Sequence, residues 1–364
     1  MIASILANLV GIDPSRYAAF ETALQSNPIM PMVMILIAIR FRRLVVKLAY
    51  PLTSNAGRLL GGWKGNAESD RSVSNVAAST GAMGEGQALS LPREIRDGSF
   101  PKVLFQTWKS KASMPENYAR WSESFKRKNP DFEYFLWDDL DNRCFIERHY
   151  PWFLPIYDAY PREIYRADAV RYFFLYQFGG LYADMDTECL KPVAPLFGSG
   201  DVWLGRMGQD PAFPHSIPNA IMASRPLQEF WLLAIHFLIE NAKALGDPEA
   251  MAGKGPESMT GPILLKQAYD TYTSSDRSRI RELVDGIAAR LPPDLRPRKE
   301  ASRVEVLPPE IWYPIDWSNM IHLRLSCEVV DFKLDLGDRT KHWLFPDSFL
   351  VTYWSHSWKP ATPN

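Results

Sequence analysis

A chain of 364 residues, 46% of them hydrophobic, can bury a substantial core as one large domain or as a domain with an appendage. Its 41 basic and 42 acidic side chains leave a formal net charge of −1, a balance that argues against a nucleic-acid binder and leaves any important charge to local clusters. Cys144, Cys189 and Cys327 lie too far apart for metal-ligand spacing or a disulfide framework, so mostly buried thiols are expected.

Residues 1–62 differ in character from the rest. Residues 29–39 are almost wholly apolar apart from prolines, and Arg40, Arg42, Arg43 and Lys47 follow at once, interleaved with apolar side chains. The run is too short to span a bilayer, which takes about 20 apolar residues. A secretory signal would carry its positive charges ahead of the apolar core rather than behind it. Residues 29–48 therefore read as an interfacial helix with basic residues at headgroup level, or else as an amphipathic helix packed on protein. Residues 63–92 are small, polar and glycine-rich without periodicity, the composition of a flexible linker. The globular domain is expected over 93–364. No Asn-x-Ser/Thr sequon occurs, which weighs against a long stay in a eukaryotic secretory lumen.

The domain opens with a predicted strand over 102–108, a helix over 116–128 carrying Tyr118, Trp121 and Phe125 at helical spacing, a turn at Asn129-Pro130-Asp131, and a second strand over 132–137. Strand, helix, strand begins an α/β nucleotide-binding layer, whose ligands sit beyond the carboxyl ends of the strands. Thr107 and Trp108 stand at the first such end, Asp138 and Asp139 after the second.

The central stretch, 162–191, reads as a nearly all-apolar helix in which Ile164, Ala167, Val170, Phe174 and Phe178 share one side. Arg171 falls within that arc, three residues beyond Asp168. A buried guanidinium left unpaired costs several kcal/mol, roughly, so it must meet Asp168, a ligand anion, or both. Gly179 and Gly180 end the helix. A short strand, 181–183, then delivers Asp184 and Asp186 to the same side, with Met185 opposite, if the extended period of two continues. Two hard oxygen ligands suit Mg²⁺ or Mn²⁺ bridged to a diphosphate better than zinc.

Further strands are expected at 202–207 and 220–223 and a helix at 227–242. A glycine and proline loop, 253–262, leads into a helix through about residue 272; it reads as a connector or as a phosphate-holding helix start. Residues 277–303 are charged and proline-rich, and are expected at the surface. The end of the chain is aromatic, with Trp312, Tyr313, Trp317, Trp343, Phe345, Tyr353, Trp354 and Trp358 available for the core or for stacking on a sugar.

The stretch RADAVRYFFLYQFGGLYADMD resembles the signature of the family 32 glycosyltransferases, Asp-x-Asp sugar-nucleotide enzymes that include fungal α-mannosyltransferases and mannosyltransferases acting on inositol phosphorylceramide. The resemblance runs with gaps over 101–358. It implies a GT-A-like nucleotide-sugar-binding α/β fold, a Rossmann-like central sheet flanked by helices, here with an N-terminal helical extension. By the same resemblance Asp186 binds the divalent metal, Asp184 contacts donor sugar and ribose, and Asp168 and Arg171 hold the donor sugar. Tyr182 and Trp108 border the nucleotide, Trp108 placed to stack on the base, with Thr107 beside it at the strand end as a further nucleotide-binding candidate, and Asn219 opens an Asn-x-x-Met-x-Ser-x-Pro strand near the sugar. Thr260-Gly261-Pro262 has a family look as well. Two departures stand out. Phe105 occupies the place of a histidine often found in the first strand. His356, the expected third metal ligand, directly precedes Ser357-Trp358 rather than standing a few residues ahead of such a pair.

The implied function is metal-dependent, retaining transfer of a hexose from a nucleotide sugar, GDP-mannose before a UDP-hexose, with Mn²⁺ or Mg²⁺ as cofactor. The implied acceptor is a glycan, glycolipid or sphingolipid, and the implied location a membrane surface, on its cytoplasmic side or in the Golgi if the source is fungal. A sugar-binding protein without turnover and a metal-dependent phosphoryl-transfer enzyme are the competing classes.

Overall fold

The computed structural model describes residues 89–94, 97–331 and 335–355. The expected interfacial segment 29–48, nearly all of the expected linker, and His356, Ser357 and Trp358 lie outside the described residues. Leu89 and Leu91, at the end of that linker, already pack against the core, so the folded unit begins a few residues earlier than composition suggests. No helix among the described residues is long and apolar enough to cross a membrane.

The chain forms β1 (Val103–Thr107), α1 (Glu116–Lys128), β2 (Glu133–Trp137), α2 (Asp139–His149), α3 (Leu154–Ala159), α4 (Glu163–Gln177), β3 (Gly180–Ala183), β4 (Thr187–Cys189), β5 (Val202–Gly205) and β6 (Ile221–Ser224). It continues through α5 (Glu229–Ala242), α6 (Pro256–Met259), α7 (Pro262–Ser274), α8 (Arg277–Ala288), β7 (Val304–Leu307), α9 (Pro309–Trp312), α10 (Met320–Val330), α11 (Gly337–Leu344) and β8 (Leu350–Thr352). Six strands make one sheet in the order β2-β1-β3-β6-β5-β7, in which β6 alone runs against its neighbours. This is the α/β architecture expected, a largely parallel sheet between helical layers.

Strand periodicity explains the two cores. Val103 and Phe105 of β1, Tyr182 of β3, Met222 of β6 and Val202 and Leu204 of β5 join one core with α4, α5 and α8. Their alternates Leu104, Leu181, Ile221, Ala223 and Trp203 face a second core built with Phe125, Trp312 and Tyr313. Both faces are covered, so these strands are largely apolar, with Gln106 and Thr107 at the end of β1 and Ser224 at the end of β6 as polar exceptions. Helix α4 lies inside, with 11 of its 15 residues buried, as its composition predicts. Its buried aromatic residues contribute about 1.5–3 kcal/mol each through burial.

Gly179 and Gly180 do more than end α4. Both have positive φ, 66° and 86°, and a Cβ at either would lie 2.6 Å from the Ser224 carbonyl or 2.5 Å from that of Val103. Only glycine lets the chain turn from α4 into the centre of the sheet at that distance.

Three expectations are corrected. The strand ends at Ala183, as expected, but its alternation does not carry on through Asp184 and Asp186: Thr187 N–H donates to the Asp184 carbonyl (3.1 Å) to close a tight turn into β4. Residues 277–303 are not all surface, because Ile280, Val284, Ile287, Leu291 and Leu295 are buried against the core. Of the cysteines only Cys189 is buried, Cys144 being half-buried and Cys327 exposed.

Candidate active site

The carboxyl ends of β1, β2 and β3 open into a cavity of about 700 Å³. Adjacent parallel strands put these ends side by side, with Thr107 in register with Trp137 and Phe105 with Tyr182. Thr107, Trp108, Asp168, Arg171, Tyr182, Asp184, Asp186 and Asn219, eight of the nine expected catalytic, nucleotide-binding and metal-binding residues, all line it, as does Asp139, whereas Asp138 does not. The ninth, His356, lies outside the described residues.

Arg171 is the internal hub. Its side chain is 3% exposed, lies 2.9 Å from Asp168 Oδ1 and 3.2 Å from Asp184 Oδ1, and donates to the Asn219 carbonyl (2.7 Å) and the Ala167 carbonyl (3.1 Å). Its guanidinium also stacks 4.6 Å from the Tyr182 ring centre. The cation therefore has its partner within the protein, as burial demands, and α4 is tied to the turn after β3 and to the start of β6.

Asp168 is buried. It accepts from Asn219 Nδ2 (3.0 Å) and Thr260 Oγ1 (3.3 Å) besides pairing with Arg171. The 253–262 loop thus serves as a buttress: Tyr172 donates to the Thr260 carbonyl, and a Cβ on Gly261 would stand 3.1 Å from Asp168 Oδ2. Burial pushes the Asp168 carboxyl up to about 6, against the pull of Arg171 and with a further upward push from Asp184.

Asp184 Oδ1 accepts from the Tyr182 hydroxyl (2.8 Å), and burial raises its carboxyl to about 6, Arg171 opposing and Asp186 adding to the rise. Asp186 is raised too, by burial first, although Ser355 N–H donates to its Oδ2 (2.7 Å). Each carboxylate thus spends one oxygen on protein donors. Asp184 Oδ2 has no hydrogen bond among the described residues, while the Ser355 side chain adds to the donors that face Asp186. Two hard oxygens raised in pKa by burial beside one another fit Mn²⁺ or Mg²⁺, whose charge would relieve both.

Trp108 is half-buried against Tyr118 (ring centres 4.8 Å apart) and donates from Nε1 to the Ser113 carbonyl (3.3 Å). Thr107 Oγ1 accepts from Asn142 Nδ2 (2.7 Å). Of the C-terminal aromatic residues, Trp312, Tyr313 and Tyr353 are core, whereas Trp317 and Trp354 line the cavity. Sequence reasoning did not assign Gln106, whose Nε2 donates to the Asp184 carbonyl (3.2 Å), nor Ser355, and it noted Thr260 only through the resemblance of Thr260-Gly261-Pro262, without a role. The partners of Gln106 and Thr260 stand 78 and 92 residues away, and no local pattern encodes them.

An α/β sheet with a paired-aspartate turn, an internal arginine and an aromatic wall beyond the carboxyl ends of its strands has the place and lining of a ligand site of the nucleotide-binding α/β class. The family described as "glycosyltransferase sugar-binding region containing DXD motif" matches residues 115–205, from α1 to the end of β5. The chain is 31% identical over 189 residues to an uncharacterized glycosyltransferase of Acanthamoeba polyphaga mimivirus, covering 51% of this chain and 70% of that one. It is 39% identical over 162 residues to inositol phosphoceramide mannosyltransferase 2 of Schizosaccharomyces pombe, covering 44% of this chain and 45% of that one. With the initiation-specific alpha-1,6-mannosyltransferase of Candida albicans it shares 37% over 111 residues, 29% of either chain. The chain belongs to the family of glycosyltransferases with a DXD-containing sugar-binding region. It spans less than half the length of the yeast relatives it matches.

Proposed function

We propose that this chain is a metal-dependent, retaining mannosyltransferase that takes mannose from GDP-mannose and places it on a sphingolipid acceptor. The observation that carries the reading is the Asp168, Arg171, Asp184 lattice opening onto the cavity beside Asp186. Two relatives whose names specify different products share mannose, which supports that sugar. The name of the inositol phosphoceramide relative supports the acceptor.

In this reading Asp184 and Asp186 hold Mn²⁺ or Mg²⁺, which supplies charge stabilisation to the departing diphosphate. Asp168, oriented by Asn219 and Thr260, accepts hydrogen bonds from mannose hydroxyls. Arg171 fixes Asp168 and Asp184 relative to each other, and Trp108 stacks on the base. An acceptor hydroxyl attacks on the face the diphosphate leaves: the sugar-phosphate bond breaks, the new glycosidic bond forms, and the hydroxyl proton passes to the departing phosphate. The apolar and basic run over residues 29–48 brings the enzyme to the surface where a lipid acceptor lies.

Mn²⁺-dependent release of GDP from GDP-mannose, compared with UDP-hexoses, tests the donor. Asp186→Asn should lower that turnover by roughly 10²-fold or more while leaving the melting temperature within a few degrees. Unchanged Mn²⁺-dependent turnover in Asp186→Asn would refute the metal assignment. Tight GDP-mannose binding with no turnover, alone or with acceptor, would mark a sugar-binding protein instead.

A further inference from the structure

The wall of the cavity formed by the ends of β1 and β2 holds a carboxylate that the proposed reaction does not use. Asp139 is the first residue of α2 and lines the cavity together with Thr107, Trp108 and Lys109. It is not needed to cap the helix, since Asp138 and Asp141 form a complete capping box without it. Its place is fixed all the same. Trp108 N–H donates to the Trp137 carbonyl (3.0 Å), and Asn142, one turn further along α2, donates to Thr107 Oγ1 (2.7 Å), so the first turn of α2 is locked beside the end of β1.

Among the described residues no hydrogen bond or ion pair reaches the Asp139 carboxylate. It is half-buried, and its carboxyl is pushed up to about 6, by burial first and then by Glu163, with Arg166 and Lys109 opposing and Asp138 adding to the rise. A carboxylate held off water without a partner costs stability. Such a group in a cavity wall is matched by a ligand that brings it donors.

The chemistry of the ligand follows from the acceptor. An ionised carboxylate offers two oxygens side by side and no donor, and bonds best to two parallel N–H groups. Among nucleobases only guanine presents such a pair, at N1–H and its 2-amino group. Uracil offers one N–H between two carbonyls, which would repel the carboxylate. Adenine and cytosine offer an amino group beside a bare ring nitrogen. We propose that Asp139 is the residue that selects the nucleobase of the donor, accepting two hydrogen bonds from the N1–H and 2-amino edge of a guanine stacked on Trp108. The assignment rests on the reading of this cavity as the site of a nucleotide-sugar donor.

The test measures binding of GDP, inosine diphosphate and UDP to the full chain in Mn²⁺, for the wild type, Asp139→Asn and Asp139→Ala. Inosine diphosphate keeps N1–H and lacks only the 2-amino group. The wild type should prefer GDP to inosine diphosphate by about tenfold or more, the value of one charge-assisted hydrogen bond. Both variants should bring that ratio close to one and melt no lower than the wild type, since they remove an unpaired charge. If Asp139→Ala weakens all three nucleotides by the same factor, the carboxylate holds the shared ribose and the assignment falls. A GDP preference that survives intact in Asp139→Ala overturns the assignment alone. A wild type that prefers UDP overturns the donor reading and this assignment with it.

Discussion

Replacing Arg171 with alanine removes the cation on which two carboxylates depend. Its side chain is 3% exposed and that of Asp168 8%, so the pair has little water to fall back on. After the substitution Asp168 keeps Asn219 and Thr260, and Asp184 keeps Tyr182, as neutral donors. Breaking one side of a buried ion pair costs about 3–5 kcal/mol. For a domain of this size each kcal/mol lowers the melting temperature by roughly 2–4 °C, which gives a fall of roughly 6–20 °C. The carboxylates can limit the damage by taking up protons. Asp168 and Asp184 already titrate near 6 with the arginine present, and without it both rise further. The loss should therefore be smaller near pH 6, grow by up to about 1.4 kcal/mol per pH unit per carboxylate between about pH 6 and its new pKa, and level off above it. Thermal unfolding followed by circular dichroism from pH 6 to 9, beside GDP-mannose turnover, measures both effects. A variant that melts with the wild type at pH 8 and turns over normally would show that Arg171 is neither buried nor paired, and the site as described would be wrong.

The acid limb of activity has a sign that separates it from unfolding. In the proposed metal role Asp184 must be ionised, so at limiting Mn²⁺ turnover should fall as pH drops through about 6, and excess Mn²⁺ should move that limb to lower pH. The folded pKa of Asp184 lies above its ordinary 3.8, so between about pH 6 and 4 the folded state binds the proton and the unfolded state does not. Metal-free wild type should thus gain stability over Asp184→Asn on acidification through that window, by up to about 1.4 kcal/mol per unit; a difference that is flat or moves the other way refutes the shift. Lys341→Met tests the support of the turn from behind. Lys341 Nζ meets Glu188 Oε1 at 2.7 Å with both side chains buried, and Glu188 lies in β4, two residues after Asp186. The variant should lose about 3–5 kcal/mol in calorimetry and regain most of it when Glu188→Gln is added; failure of that rescue would point to lost packing rather than lost pairing.

Local patterns made much of this structure legible. The apolar arc of α4 announced a buried helix, and an arginine within it had to find an anion. The double glycine announced the turn into the sheet. Apolar runs between turn signals found β1, β2, β5 and β6 to within a residue or two at each boundary. What escaped was non-local or hidden by composition. Ile280, Val284, Ile287 and Leu291 recur at helical spacing, but the arginines and aspartates between them gave residues 277–303 the look of a surface segment. Asp184 and Asp186 share the cavity through a turn rather than through strand alternation, because Thr187 must reverse the chain to pair with Thr352. Thr260 and Gln106 act across the fold, and their roles follow only once the sheet and α4 are assembled.

The paired-aspartate turn is held from several directions, and that explains how it tolerates its own unfavourable chemistry. Gln106 donates to the Asp184 carbonyl and is fixed by the Tyr134 hydroxyl (2.9 Å), which bonds Ser122 of α1 (2.6 Å). From the other side, Tyr353 N–H donates to the Asp186 carbonyl (2.9 Å) and Ser355 N–H to its carboxylate (2.7 Å). Between those two donors Trp354 has φ of 49°, a left-handed conformation that costs a non-glycine residue about 1–3 kcal/mol. It is kept there by stacking on Tyr313 (5.5 Å) and by donating from Nε1 to the Ile315 carbonyl (2.6 Å). A strained residue and four carboxylates with raised pKa values, Asp139, Asp168, Asp184 and Asp186, sit around one cavity, while the aromatic core of α4 and the sheet supplies the stability that offsets them. In the proposed transfer, donors and acceptors fixed in advance would not have to reorganise as charge develops on a leaving diphosphate. The strain and the raised pKa values are thus the local cost of holding oxygen ligands in place before any metal or nucleotide arrives.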